Sequence, residues 1–339
     1  MKTIAWLLAG ALTCGAGAQA APLELTAWLV HWDGGASIRD FEAHADLISR
    51  VGAGWYACGA DGLPMRLPDS EVLPQDKAKI LSLGKLHGVK VFALASNFNP
   101  KKGDFDADLV SLFLEKPALM KRHAKALAEM AKADGADGLD MDYEGLKAAD
   151  KDALSEFMEV LSGECHKRGL ILAMALHPKT AEPGSWDGDR AQDWARLGKA
   201  VDLFRPMAYD NHWATSDAGP IAPPEWTAQV LAHACALVDK RKIEMGIPAY
   251  GYDWLGKTST GIGWPDFQKL VLQQGIQPRR DPSSAELTFK YGQREVWFAD
   301  AKAEEAKFGQ AKKAGVRGLA LWHAGAEDPA FWDEFRKLR

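Results

Sequence analysis

Cysteine is scarce in this sequence. Four occur in 339 residues, and only Cys58, Cys165 and Cys235 lie beyond the first twenty. That is too few for a disulfide framework, and none has the paired spacing of a zinc site. Three small buried hydrophobes are the simpler reading. An excess of cations is missing too. The 41 Lys and Arg face 46 Asp and Glu, both signs spread along the chain, and a formal charge of −5 leaves no basic stripe for nucleic acid. No apolar run is long enough to span a bilayer. There are no repeats, no low-complexity segments, and no Gly-rich nucleotide turn after the first strand-like stretch.

What remains is ample material for a large core. Hydrophobic residues make up 47% and charged residues 26%, the balance of a globular chain. Thirteen Trp are present, and their flat apolar faces suit both cores and sugar rings. Residues 1–20 read as a signal peptide: Lys2, an apolar run from Ile4 to Leu12, then Ala18-Gln19-Ala20 before Ala21. The expected mature chain, 21–339, is therefore exported, either periplasmic or secreted, and is read as a monomer.

Short apolar runs alternate with helix-like stretches. Strands are expected at 23–31, 54–58, 89–95, 137–144, 170–176, 201–207, 243–249 and 316–321. Helices are expected at 38–51, 75–87, 109–134, 150–168, 191–199, 224–240 and 301–314. Gly88, Gly135 and Gly169 stop three of these helices. Eight such alternations predict an α/β fold, a (β/α)8 TIM barrel. One interval, about 254–300, is too long for a loop. Thr288–Tyr291 and Glu295–Phe298 flank Gly292 as short strands, so a small α+β insertion is expected after strand 7.

The informative stretch is Asp137-Gly138-Leu139-Asp140-Met141-Asp142-Tyr143-Glu144. Read as a strand, it puts Asp140, Asp142 and Glu144 on one face, about 6.5 Å apart, and Leu139, Met141 and Tyr143 on the other. Like charges that close, shielded from water, resist ionising together, so at least one proton is kept near neutral pH. Asp137 falls on the opposite parity and reads as structural. A calcium loop is a poor match, because its twelfth place is Lys151, where a bidentate Glu is required. No metal and no cofactor are expected.

In a barrel of this kind, active residues gather where strands end. Trp32, Asn97, Glu144, His177, Tyr209, Asp210, Tyr250 and Trp322 all fall at such ends. His177, before Pro178, reads as a loop histidine ahead of a catalyst, and Trp28 as core.

These residues carry a family resemblance. Asp137 to Glu144 resembles the DGxDxDxE signature of glycoside hydrolase family 18, the chitinase-like barrels, at all five signature positions. Met207-Ala208-Tyr209-Asp210 resembles the family's MxYD segment, and Trp322 its Trp at the close of strand 8. Tyr209 to Trp213, Gly246 to Trp254 and Val296 to Asp300 are similar to the branch of bacterial spore-cortex-lytic N-acetylglucosaminidases. Departures exist: this chain lacks the wall-binding repeats often found in that branch, and Ser96-Asn97-Phe98-Asn99 lacks the Gly-Gly pair of true chitinases.

The resemblance implies a retaining hydrolase of β-linked N-acetylglucosamine (GlcNAc), acting on chitooligosaccharide or peptidoglycan through the substrate's own 2-acetamido group. It implies Glu144 as general acid and Asp142 as partner of the acetamido N–H. Asp140 would share a proton with Asp142, and Tyr209 would donate to the acetamido oxygen. Trp322 would be the floor under the reacting sugar. Met207, Asp210, Asn211, Asn97, Trp32 and Tyr250 are the further candidates for substrate contact. Two alternatives stay open: an endo-acting enzyme on the chitobiose core of N-glycans, and a chitinase-like lectin that binds without cleaving.

Overall fold

The computed structural model describes residues 22–338; the leader-like residues 1–20 lie outside these described residues. Eight strands run parallel: β1 Glu24–Leu29, β2 Arg50–Cys58, β3 Lys90–Ser96, β4 Gly138–Asp142, β5 Ile171–Leu176, β6 Leu203–Pro206, β7 Glu244–Pro248 and β8 Gly318–Trp322. Neighbours pair in the order β7-β8-β1-β2-β3-β4-β5-β6. A single parallel bridge, Phe204 to Ile243, draws β6 toward β7, so the barrel is nearly closed.

Period-two alternation explains why these segments form a barrel. In β1, Leu25, Ala27 and Leu29 point outward into the apolar layer under the helices. Thr26 and Trp28 point inward. A second apolar cluster, with Trp28, Leu94, Ala175, Met207 and Ala320, fills the upper interior. Glycine makes room there. A Cβ at Gly52 would lie 2.8 Å from the Trp28 ring and 3.0 Å from Asp140 Oδ2, and one at Gly138 would lie 2.4 Å from the Phe92 ring.

Two helices depart from the sequence expectation. The stretch 109–134 is two helices, Ala107–Leu114 and Pro117–Ala133. Pro117 disfavours helical backbone at Lys116, which is extended at φ −122°, ψ 95°. The helix expected over 38–51 is Ala36–His44, and β2 starts earlier than expected, at Arg50. Val51 and Ala53 join the outer apolar layer, while Arg50 bonds to Glu24 and Glu244.

After β7 the chain leaves the barrel as a small five-stranded antiparallel sheet. Leu287–Tyr291 and Arg294–Phe298 form the hairpin the sequence suggested. Gly251–Leu255 and Thr258–Ile262 add two strands that it did not. Helix Trp264–Gln274 covers the sheet through Phe267, over a separate core of Ile262, Phe289, Val296 and Phe298. Glu286 ties the insertion to the barrel by accepting the backbone N–H groups of Ile221 and Ala222, at 2.8 and 2.7 Å. Among the described residues, no helix is long and apolar enough to cross a membrane.

Candidate active site

Strand β4 aims Asp140 and Asp142 into the barrel and delivers Glu144 just past its end. Leu139, Met141 and Tyr143 face the outer layer, where the Tyr143 hydroxyl meets His123 Nε2 at 2.8 Å. Asp137 accepts from Lys90 and from the Val91 N–H, a structural pairing at the bottom of the strand.

Glu144 is held at its main chain. Its N–H donates to Asn97 Oδ1 at 2.8 Å, and its C=O accepts from Asn97 Nδ2 at 2.9 Å. Asn97 was expected to touch substrate. It is instead fully buried, because both halves of its amide are used on this backbone clamp.

Asp140 has partners that its place in the sequence does not reveal. Its Oδ2 accepts from Trp28 Nε1 at 2.9 Å and from the guanidinium of Arg205. Trp28 is thus core, as expected, but with its polar edge on an acid. Arg205, fully buried on β6, also donates to Glu244 Oε2 at 2.8 Å. Glu244 in turn accepts from Arg50 at 2.6 Å, Arg50 pairs with Glu24, and Glu24 with Arg317 at 3.1 Å. Charges of alternating sign therefore run through the barrel interior. The resemblance has Asp140 sharing a proton with Asp142; its hydrogen bonds in the structure come from Trp28 and Arg205. The sequence did hold a signal: a lone Arg and a lone Glu inside otherwise apolar strands.

The acids at the mouth are all shifted toward the protonated form. Burial, with the charge of Asp140, pushes Asp142 up to about 7, against a hydrogen bond shared with Glu144. Burial, then Asp142 and Asp210, raises Glu144 well above the usual carboxyl range. Burial raises Asp210 to about 6, opposed by the hydroxyls of Tyr250 and Tyr252, which donate to its Oδ1 at 2.5 and 3.1 Å. Burial and these same acids keep the Tyr209 hydroxyl protonated. A pair of carboxyls sharing a proton beside a phenol donor can give a proton to a leaving group and take one from water.

Above the acids opens a cleft of about 1360 Å³. Pockets for single small molecules run to roughly 300–1,000 Å³, so this cleft has room for more than one sugar. Asp142, Glu144, Met207, Tyr209, Asp210, Asn211, Tyr250 and Trp322 line it. Trp322 lies between Trp28 and Trp32, with ring centroids 5.8 and 6.5 Å away. Trp32, Trp186 and Trp213 line the same cleft and are about half exposed or more. Trp186 escaped the sequence reading, and Trp213 entered it only within the Tyr209 to Trp213 stretch and not as a site residue, since a Trp in a loop carries no periodicity. Among the described residues, no three His, Cys, Asp or Glu side chains gather as metal ligands do.

Fold and site together define a parallel barrel with an acid column at the carboxyl ends of its strands, the place where barrel enzymes work. Comparison with known proteins names the family. The model of glycosyl hydrolases family 18 matches residues 103–327, and the chain belongs to that family. It is 29% identical over 277 residues to the uncharacterized glycosylase YvbX of Bacillus subtilis (strain 168), covering 79% of this chain and 80% of that one. It is also 29% identical over 255 residues to a cortical fragment-lytic enzyme of the same organism, covering 69% of this chain and 58% of the other. Among solved structures, a chitinase from Chromobacterium violaceum ATCC 12472 superposes with a TM-score of 0.84 at 26% identity, over 93% of this chain and 98% of that one.

Proposed function

We propose that this protein is an exported, retaining glycoside hydrolase of β-linked GlcNAc polymers, chitooligosaccharide or peptidoglycan in type. The observation that carries the reading is the Asp142–Glu144 pair, proton retained, on the floor of a Trp-lined cleft beside Tyr209. Cortical fragment-lytic enzymes and a chitinase among the similar proteins support that substrate class. The leader at 1–20 supports export.

In this mechanism Glu144 gives its proton to the glycosidic oxygen as the bond to C1 breaks. The acetamido oxygen of the same sugar bonds to C1 on the opposite face, forming an oxazolinium ion. Asp142 accepts the acetamido N–H and faces the positive charge. Tyr209 donates to the acetamido oxygen and aligns it. Water then attacks C1, and its proton returns to Glu144. Configuration is retained because C1 is inverted twice.

The test is mass spectrometry of products from a chitin hexamer, peptidoglycan sacculi and a chitobiose-core glycopeptide, side by side. Glu144→Gln should lose at least about a hundredfold to ten-thousandfold in rate, the worth of a positioned acid, while melting normally. Near-normal turnover by that variant refutes the assignment of Glu144. Sugar binding without products from any of the three refutes hydrolysis and favours a lectin.

A further inference from the structure

His177 lies at the end of β5, before Pro178, and is almost completely buried. Three contacts hold this residue, two of them at its ring. Its backbone N–H donates to Gln192 Oε1 at 2.8 Å. The Trp186 ring meets it edge to face, with centroids 4.7 Å apart. The Gly145 N–H donates to its Nε2 at 3.2 Å. The last contact decides the tautomer. A ring nitrogen that accepts an N–H carries no proton, so in the neutral ring the proton sits on Nδ1. Nδ1 faces Glu144 Oε2 at 3.5 Å. Hydrogen bonds to catalytic groups are often this long in empty sites and tighten when substrate binds.

We propose that His177 is a positioning residue for Glu144: a neutral imidazole, locked by Gly145 in the Nδ1–H form, that donates to the Glu144 carboxylate whenever Glu144 has given up its proton. The inference rests on the reading of Glu144 as the acid–base group. Its chemical sense is reciprocal. The carboxyls around Glu144 make its anion costly: Asp142 from β4, Asp104 from the segment after β3, and Asp210 beyond β6, with burial the largest cause. The hydroxyls of Tyr209 and Tyr252 feel the same field from beyond β6 and β7. An acid surrounded this way holds its proton too tightly to surrender it. One fixed neutral donor offsets that without adding a charge. Burial supports the neutral form, depressing His177 to about 4 even though Asp189 pulls the other way. His177 also holds the Gly145 N–H, so one ring grips both the carboxyl of residue 144 and the turn that follows it.

Two measurements test this. In whole protein labelled with 15N at histidine, the His177 signals, assigned by their loss in His177→Gln, should show a protonated Nδ1 and a bare Nε2 across neutral pH. The Nδ1 signal should move in Glu144→Gln. A protonated Nε2, or an imidazolium at neutral pH, overturns the proposal, and neither outcome depends on any substrate. The second measurement is the pH profile on the substrate that wild type cleaves. His177→Gln keeps an acceptor near Gly145 and loses the donor at the Nδ1 place. Its kcat should fall about tenfold to a hundredfold with KM little changed, and the alkaline limb of kcat/KM should move up by about one pH unit. His177→Asn keeps a donor at the Nδ1 place, and its limb should stay near that of wild type. An unmoved limb in the Gln variant, or the same loss in both variants, overturns the proposal. If wild type cleaves no β-GlcNAc linkage, the proposed function fails, and the tautomer with its response to Glu144→Gln still decides this one.

Discussion

Arg205→Met is the most informative change outside the cleft. The guanidinium is fully buried between Asp140 and Glu244 and stacks over Trp28 and Phe92, 5.8 and 5.3 Å from their centroids. Met replaces much of its bulk and removes its charge. Glu244 keeps Arg50 and the Thr26 hydroxyl, at 2.6 and 2.9 Å. Asp140 keeps only the Trp28 N–H among the described residues. Removing one partner of a buried pair costs about 3–5 kcal/mol, because the other charge is left uncompensated. Burial already raises Asp140 against the pull of Arg205; without Arg205 its folded pKa climbs further above its unfolded value of about 3.9, so Asp140 limits the cost by taking up a proton. A group raised on folding favours the native state at low pH, and that support is lost as pH rises toward the folded pKa. The deficit of Arg205→Met against wild type should therefore be largest at about pH 8 and shrink by several tenths or more of its size near pH 4. Urea midpoints at both pH values measure it. Arg205→Met with Asp140→Asn should recover most of the loss, since no buried carboxylate then remains at that place. Equal deficits at the two pH values, or no recovery in the double variant, refute the ion-pair argument.

Two further outcomes follow from the same geometry. Asp142→Asn removes a carboxyl that burial and Asp140 push up to about 7; ionising it costs folding free energy from its unfolded value of about 3.9 upward, so the variant should melt higher than wild type at about pH 8, come close to it near pH 4, and lose activity at both. Differential scanning calorimetry at the two pH values checks this, and an equal shift at both contradicts it. Trp32 is 63% exposed at the rim of the cleft, so Trp32→Ala should leave stability within about 0.5 kcal/mol and raise KM for long substrates more than for short ones; an unchanged KM for the longest oligosaccharide contradicts a platform role.

Local signals carried most of the fold. The strands β1 to β8 each showed a short apolar run, and glycine stops such as Gly88, left-handed at φ 72°, marked helix ends. Pro117 was readable as a helix start, yet the apolar periodicity of Leu109 to Met130 runs through it and hid the break. The two strands at Gly251–Leu255 and Thr258–Ile262 were hidden for another reason. The second is largely exposed and made of Thr, Ser and Gly up to its last residue, Ile262, so it exists mainly through pairing with its neighbour. In the candidate site, Asp140, Asp142 and Glu144 were legible because strand parity is local. Arg205 was not, because its partners are 65 and 39 residues away and only barrel closure brings them together. Asn97 was misread for a similar reason: its place at a strand end was correct, but the direction of its amide depends on how β3 and β4 register.

The interior charges bear on the protonation of the acid column. Arg317, Arg50 and Arg205 alternate with Glu24, Glu244 and Asp140, three cations against three anions, from the foot of the barrel to the edge of the cleft. Taken together the series is neutral, and each carboxylate in it has a guanidinium within contact. An unpaired anion at Asp140 would stand next to Asp142 and drive its pKa still higher. A cation without Asp140 would pull Asp142 and Glu144 toward full ionisation and strip the acid of its proton. The paired series avoids both extremes. Its end nearest the cleft presents one carboxylate, Asp140, which still helps raise Asp142, and the rest of the proton balance comes from burial, the repulsion of Asp142 and Asp210 on Glu144, and the neutral donor of His177. Acid strength at the cleft is thus set mainly by burial and by the carboxyls at the strand ends, while the paired charges beneath limit what the barrel interior adds to the charge of Asp140.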